Sequence, residues 1–204
     1  MSWKKRSKGL RDLAEGLVKV GALQFGSSTL PDGKESSYYI NLRGLASYPG
    51  VYKLVVEAVS DVVEKKAGKA MAICGVPTTG LLIAAPVAVA LNRPLLYTKA
   101  SPKAGERVVE GEVRPGWKVV VVDDLSTSGR SILGSAKAVE QEGGEVTAAV
   151  VLIDRMEGAR EKLSKQGIAL HAVTDMMELA DTLASMELIS EENLKAIAKS
   201  VGTR

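Results

Sequence analysis

Two adjacent carboxylates, Asp123 and Asp124, follow four consecutive valines, Val119 to Val122, and precede Leu125, Ser126, Thr127, Ser128, Gly129, Arg130 and Ser131. An apolar run without polar alternation marks a strand buried on both faces of a parallel sheet, and the acid pair is read as its end. The small residues that follow let main-chain N–H groups turn inward around an anion. Ser131 to Val139 continues in a helical pattern, so this loop sits at a helix N-terminus. Unpaired N–H groups and aligned peptide dipoles favour a phosphate there. A strand that merely ends in an acid beside a helix cap is the plainer alternative, and the acid pair with the hydroxyl-rich loop speaks against it.

A second loop has similar chemistry. Val76, Pro77, Thr78, Thr79 and Gly80 follow an apolar strand, Ala70 to Cys74, and precede an almost wholly apolar helix from Leu81 to Leu91. A third strand, Val146 to Ile153, ends in Asp154-Arg155. Between these lies a polar stretch, Lys99 to Arg107, with Lys103 at its middle. It is read as a mobile, positively charged lid, with an exposed linker as the alternative. Tyr38 and Tyr39 are neighbours on a short strand and therefore face opposite ways. One belongs to the core at most, and the other is placed to stack on a planar ligand.

The elements that must carry these groups follow from periodicity. Leu10, Leu13, Ala14, Leu17 and Val18 give a first helix to about Val20, and Ala22–Phe25 and Ser37–Leu42 give two strands around a turn at Pro31–Gly33. Ser47 is read as the cap of a helix reaching Lys66. Pro94–Thr98 and Ile168–Val173 add strands; Ala159–Gln166, Met176–Met186 and a last helix capped by Ser190 complete the chain. Alternating buried strands and helices predict an α/β fold, a doubly wound, mainly parallel sheet flanked by helices with a small N-terminal helix and strand hood. One domain is expected over 1–204, with the hood at about 1–45, the core at 46–175 and C-terminal helices at 176–204. In such sheets ligands bind outside the carboxyl ends of the strands. The loops at Gly75–Gly80, Asp123–Ser131 and Asp154–Arg155 meet there, which points to an anionic ligand with a sugar-like polyol.

Composition narrows the classes. A net charge of +3 over 204 residues suits an anionic small ligand and lacks the basic stripe of a nucleic-acid binder. The longest apolar run, Leu81 to Leu91, is broken by Pro86 and is too short for a membrane span. A single histidine, His171, argues against a Ser-His-Asp triad or a His-rich metal centre, and a single cysteine, Cys74, in an apolar run suits a reducing compartment. A cytoplasmic protein is expected, with neither nucleic acid nor membrane as partner.

The string VVVVDDLSTSGRS resembles the phosphoribosyl-pyrophosphate signature of the type I phosphoribosyltransferases. Over nearly its full length the chain resembles the orotate phosphoribosyltransferases. The residues that carry this are DGKESSYYINLR (Asp32 to Arg43), the GVPTTG loop, the lysine-bearing loop before EGEV, and Asp154-Arg155 followed by Met156-Glu157. The resemblance implies transfer of ribosyl 5-phosphate from phosphoribosyl pyrophosphate to orotate, giving orotidine monophosphate and pyrophosphate, with Mg²⁺ held mainly by substrate oxygens and water. It implies that Asp123 and Asp124 bind the ribose hydroxyls and stabilise an oxocarbenium-like ring. Residues 125–131 then hold the 5-phosphate, Val76 to Gly80 with Lys99 hold the pyrophosphate, and Lys103 neutralises its charge. Arg155 with Thr127 would read the orotate carboxylate, and Tyr38 or Tyr39 would cover the ring. A homodimer is implied too, the loop of one subunit closing over its partner's site. The chain departs from the pattern at Ser126, where the signature carries an aliphatic residue. It departs again in the lid, which is shorter and has no histidine. Those departures motivate two alternatives: a regulator that binds phosphoribosyl pyrophosphate without turnover, and a transferase for another base.

Overall fold

The computed structural model describes residues 3, 6–29, 35–103 and 106–202. The predicted turn at Pro31–Gly33 lies outside them, as do two residues at the centre of the lid. The chain forms two compact units, Val56–Val173 and Met1–Val55 with Thr174–Arg204.

The Val56–Val173 unit is built on a sheet of order β5-β4-β3-β6-β7-β8, with strands β3 (Ala72–Gly75), β4 (Leu95–Thr98), β5 (Val109–Glu110), β6 (Lys118–Ser126), β7 (Glu145–Asp154) and β8 (Ala169–Asp175). β4, β3, β6 and β7 run parallel, joined by helices α3 (Thr79–Ala90) and α4 (Arg130–Gln141), while β5 pairs antiparallel with β4 at one edge. The valines of β6 explain its central place. Val119 and Val121 share a buried cluster with Ile132, Ala136 and Val139 of α4, and Val120 and Val122 are equally buried on the other side. Only a residue apolar on both faces of the strand suits such a position.

The other unit joins the two ends of the chain. Helix α1 (Arg6–Lys19) packs against α6 (Met176–Ser185), and α7 (Glu191–Gly202) packs against β2 (Glu35–Ile40), which pairs antiparallel with β1 (Leu23–Thr29). Leu10, Leu13, Ala14 and Leu17 form the buried stripe of α1, and Arg6 reaches Glu178 of α6 at 2.8 Å. Asp175 and Ser190 cap α6 and α7 through the N–H groups of Glu178 and Asn193, the second as the sequence predicts.

Several boundaries differ from expectation. β6 does not stop at the acids: Asp123, Leu125 and Ser126 still pair with Val151, Ile153 and Asp154 of β7. Ser47 is not a helix cap but the last residue of a 3₁₀ turn, Leu45–Ser47, and Tyr48 directly precedes α2 (Pro49–Ala67). β3 starts at Ala72 rather than Ala70, because Ala70 closes the turn after α2 through an N–H bond to Ala67. Among the described residues no helix is long and apolar enough to cross a membrane.

Candidate active site

Because β3, β6 and β7 are parallel and adjacent, their carboxyl ends share one edge of the sheet. Three loops leave from that edge: 76–78 before α3, 127–129 before α4, and 155–158 before α5 (Ala159–Ser164). The sequence-predicted anion loops are therefore brought together with the acid pair and Asp154-Arg155.

Asp123 is only 6 % exposed. Its Oδ1 accepts the N–H of Asp124 at 2.9 Å, and Oδ1 of Asp124 accepts the N–H of Leu125 at 2.9 Å. Burial, and then the neighbouring Asp124 carboxylate, push the Asp123 carboxyl up to about 8. A charge withdrawn from water beside a like charge favours its neutral form until a cation or hydroxyl donor arrives. The start of α3 is pressed against this acid. A Cβ on Gly80 would lie 2.7 Å from Asp123 Oδ1 and 2.8 Å from both the Asp123 Cα and the Val122 carbonyl oxygen. Two of those three atoms are main chain, so only glycine lets the helix begin here.

The helices on this edge begin without side-chain caps. Neither Thr78 before α3 nor Gly129 before α4 gives a capping bond, in contrast to Asp175 and Ser190 of the other unit. Gly129 adopts a left-handed φ of 71° and packs against α5, where a Cβ would stand 3.3 Å from Leu163 Cγ. First-turn N–H groups with no side-chain acceptor are what a phosphate engages. Thr78, Ser128, Arg130 and Ser131 are exposed, while Pro77, Thr79, Asp124, Leu125 and Thr127 are half-buried. Val76 belongs to the core, so it offers a ligand its main chain only. The same holds for Ser126. Its hydroxyl turns inward and donates to Asp154 Oδ1 at 2.9 Å.

Arg155 is 14 % exposed and its Nη2 lies 2.9 Å from Glu157 Oε1. Glu157 is a site residue that the sequence signals only by its spacing of two from Arg155. In the lid, Lys99 Nζ lies 2.8 Å from Glu110 and 3.5 Å from Glu106. The hydrogen bond to Glu110 leads the causes that raise its pKa. Arg107 grips Glu142 through Nε at 3.1 Å and Nη2 at 3.0 Å. The side chain of Lys103 is exposed. Glutamates thus hold two of the three lid cations, a pairing that the spacing of the lysines and arginine alone does not reveal.

Tyr38 and Tyr39 belong to the other unit, on β2. Tyr38 is 3 % exposed and Tyr39 half-buried, as alternation along a strand requires. Tyr38 is thus a core residue of that unit, and Tyr39 is not. His171 is a half-buried residue of β8, its pKa lowered first by burial and then by Lys66 and Arg160. Cys74 is buried, its thiol pushed up to about 12.

This edge sets a buried Asp123 and a half-buried Asp124 between two uncapped helix starts, and comparison with known proteins gives the class of the chain. Residues 44–176 match the family of the phosphoribosyl transferase domain. An orotate phosphoribosyltransferase of Sulfolobus acidocaldarius is 38 % identical over 92 % of this chain and 94 % of its own length. Among solved structures, an orotate phosphoribosyltransferase from Aeropyrum pernix has a TM-score of 0.74 and 36 % identity, covering 84 % of this chain and 99 % of that one. The UMP synthase of Leishmania donovani has a TM-score of 0.85 at 31 % identity, over 95 % of this chain; the chain spans 42 % of that longer protein. The chain belongs to the phosphoribosyltransferases, and within them to the orotate phosphoribosyltransferase family.

Two outcomes follow from the acid and its glycine. Gly80→Ala should destabilise the protein by about 1–3 kcal/mol in urea unfolding, since main-chain atoms must shift. It should also impair turnover more than a matched alanine elsewhere on α3. The raised Asp123 pKa favours the folded state below the ordinary carboxylate range, and that stabilisation is lost as pH rises towards about 8. Asp123→Asn should therefore gain stability relative to wild type as pH rises from about 5 to 8. Parallel unfolding curves for the two proteins would show that the carboxyl titrates normally.

Proposed function

We propose that this protein is an orotate phosphoribosyltransferase, transferring ribosyl 5-phosphate from phosphoribosyl pyrophosphate to orotate. The observation that carries the reading is the acid pair set between the uncapped starts of α3 and α4, with Arg155 on the neighbouring strand end. The first-turn N–H groups of α4, with Thr127, Ser128 and Ser131, hold the 5-phosphate; those of α3 and its preceding loop hold the pyrophosphate. Asp123 and Asp124 accept from the ribose hydroxyls. On ionising beside them, the pair stabilises positive charge as it builds on the ring. Arg155, with Thr127, takes the orotate carboxylate through its planar fork. Lys103 neutralises charge on the departing pyrophosphate, and Lys99 stands behind it.

The described residues offer one adjacent carboxylate pair here and no group of three metal-binding side chains. That donor set fits Mg²⁺ taken up mostly through substrate oxygens and water. Bound so, Mg²⁺ would screen the pyrophosphate charge, and the chain's part is to orient the ligand that carries it. The reading places the protein in the cytoplasm, where Cys74 stays a thiol.

A homodimer completes the proposal. Helix α3 has no polar side chain after Thr79, and while Ile83, Ala84 and Val87 are buried, Leu82 is 40 % and Val89 83 % exposed. A helix apolar all round calls for cover on both faces, and a second copy supplies it. Val89→Glu should shift the sedimentation of the protein towards the monomer and lower activity in step; unchanged sedimentation would leave the helix without that role.

The activity test is direct. Orotate, phosphoribosyl pyrophosphate and Mg²⁺ should release pyrophosphate, whereas uracil and adenine should not. Lys103→Ala should lower kcat by about 100-fold or more, as expected for loss of a charge that acts in the transition state. Binding of phosphoribosyl pyrophosphate without turnover would favour the regulator, and turnover with another base alone would reassign the substrate.

A further inference from the structure

Ser126 stands where the family signature carries an aliphatic residue, and it is 1 % exposed. Its hydroxyl donates to Oδ1 of Asp154, a carboxylate with no exposure at all. The same Oδ1 accepts the N–H of Met156 at 3.0 Å. Arg160 Nε lies 2.7 Å from the other oxygen, Oδ2, as an ion pair whose N–H does not align as a hydrogen bond. Arg160 is in turn tied by Nη1 to the carbonyl of Leu170 at 3.0 Å. Between Asp154 and Met156 sits Arg155, whose own N–H donates to the carbonyl of Ser126 at 3.0 Å.

Arg155 is thus bracketed. The residue before it and the residue after it are joined by one carboxylate, and its own amide is anchored on Ser126. Met156 takes a left-handed φ of 60°, which a side chain other than glycine adopts only when its surroundings impose it. The Asp154 carboxylate holds the Met156 N–H across this turn. An aliphatic residue at 126 would leave a fully buried carboxylate short of one donor, and buried acceptors that lose a donor rearrange.

We infer that Ser126 and Asp154 are positioning residues: their buried hydrogen bond ties the phosphate loop to the turn that presents Arg155, so that the two substrate half-sites move as one piece. This rests on the reading of Arg155 as the group that meets the orotate carboxylate. Ser126 touches no substrate with its side chain; it acts through Asp154 and the turn.

Steady-state kinetics and the order of the Arg155 side chain test this in the full chain. Ser126→Ala should raise the KM for orotate about fivefold, the effect of one hydrogen bond, while the KM for phosphoribosyl pyrophosphate stays within about twofold. Ser126→Thr, which keeps the hydroxyl, should restore part of the difference. In the absence of substrate, ¹⁵N relaxation of the Arg155 Nε–H group should report greater mobility in Ser126→Ala than in wild type. An unchanged orotate KM, or the two KM values rising together with a falling melting temperature, would overturn the positioning role. Should wild-type protein turn over no orotate, the proposed activity falls, and the relaxation comparison alone decides: an equally ordered Arg155 in both proteins ends the proposal.

Discussion

Burying a carboxylate at the end of a parallel strand constrains everything around it. Asp123 remains in the ladder of β6 and β7, loses its water, and among the described residues receives the N–H of Asp124 in return. An ionised acid in such a place is unfavourable until a hydroxyl or a cation reaches it. The same burial requires α3 to begin flush against the acid, so position 80 has no room for a side chain. With α3 fixed there and α4 starting from the next turn of β6, two uncapped helix starts come to flank one acid pair. The first-turn N–H groups at those starts are main-chain donors, which the sheet holds in place without side-chain entropy to lose.

The lid solves a different problem. A cluster of cations repels itself, and here glutamates hold two of its members: Glu110 and Glu106 hold Lys99, and Glu142 holds Arg107. These pairs are partly exposed, and solvent screens ion pairs of this kind. They orient the cations at little expense and yield readily to a ligand with several charges. A shorter lid without histidine is therefore not a lid without control, because its acids set where its cations rest.

Much of this was legible in the chain. Four valines in a row could only be a strand covered on both faces, and the glycine- and hydroxyl-rich strings after β3 and β6 mark two loops that leave from one edge of the sheet. The alternation of Tyr38 and Tyr39 into core and surface followed from strand geometry alone. What stayed hidden depends on contacts between residues distant in sequence. Nothing in the spacing of Gly80 and Asp123, 43 positions apart, announces that one excludes a Cβ at the other. The Ser126 hydroxyl looks like one more phosphate ligand in the sequence, and only the register of β6 against β7 turns it towards Asp154. The strand likewise outlasts the acids because pairing with β7 outweighs the low strand propensity of aspartate.

The same economy governs the arginine at the neighbouring strand end. A guanidinium largely withdrawn from water is costly unless a carboxylate stands near, and Glu157 meets Nη2 within the same turn. One carboxylate engages at most part of a group with five donors, so the pairing orients Arg155 without exhausting it. Burial favours the neutral form of Asp123, and Glu157 holds Arg155 as a paired cation. Under the proposed function, a sugar phosphate would bring hydroxyls and developing positive charge to the first, and a planar acid a second carboxylate to the second. Between them, hydrogen bonds from Ser126 and from the Met156 N–H to one buried Asp154 oxygen link the end of β6 to the turn that carries Arg155.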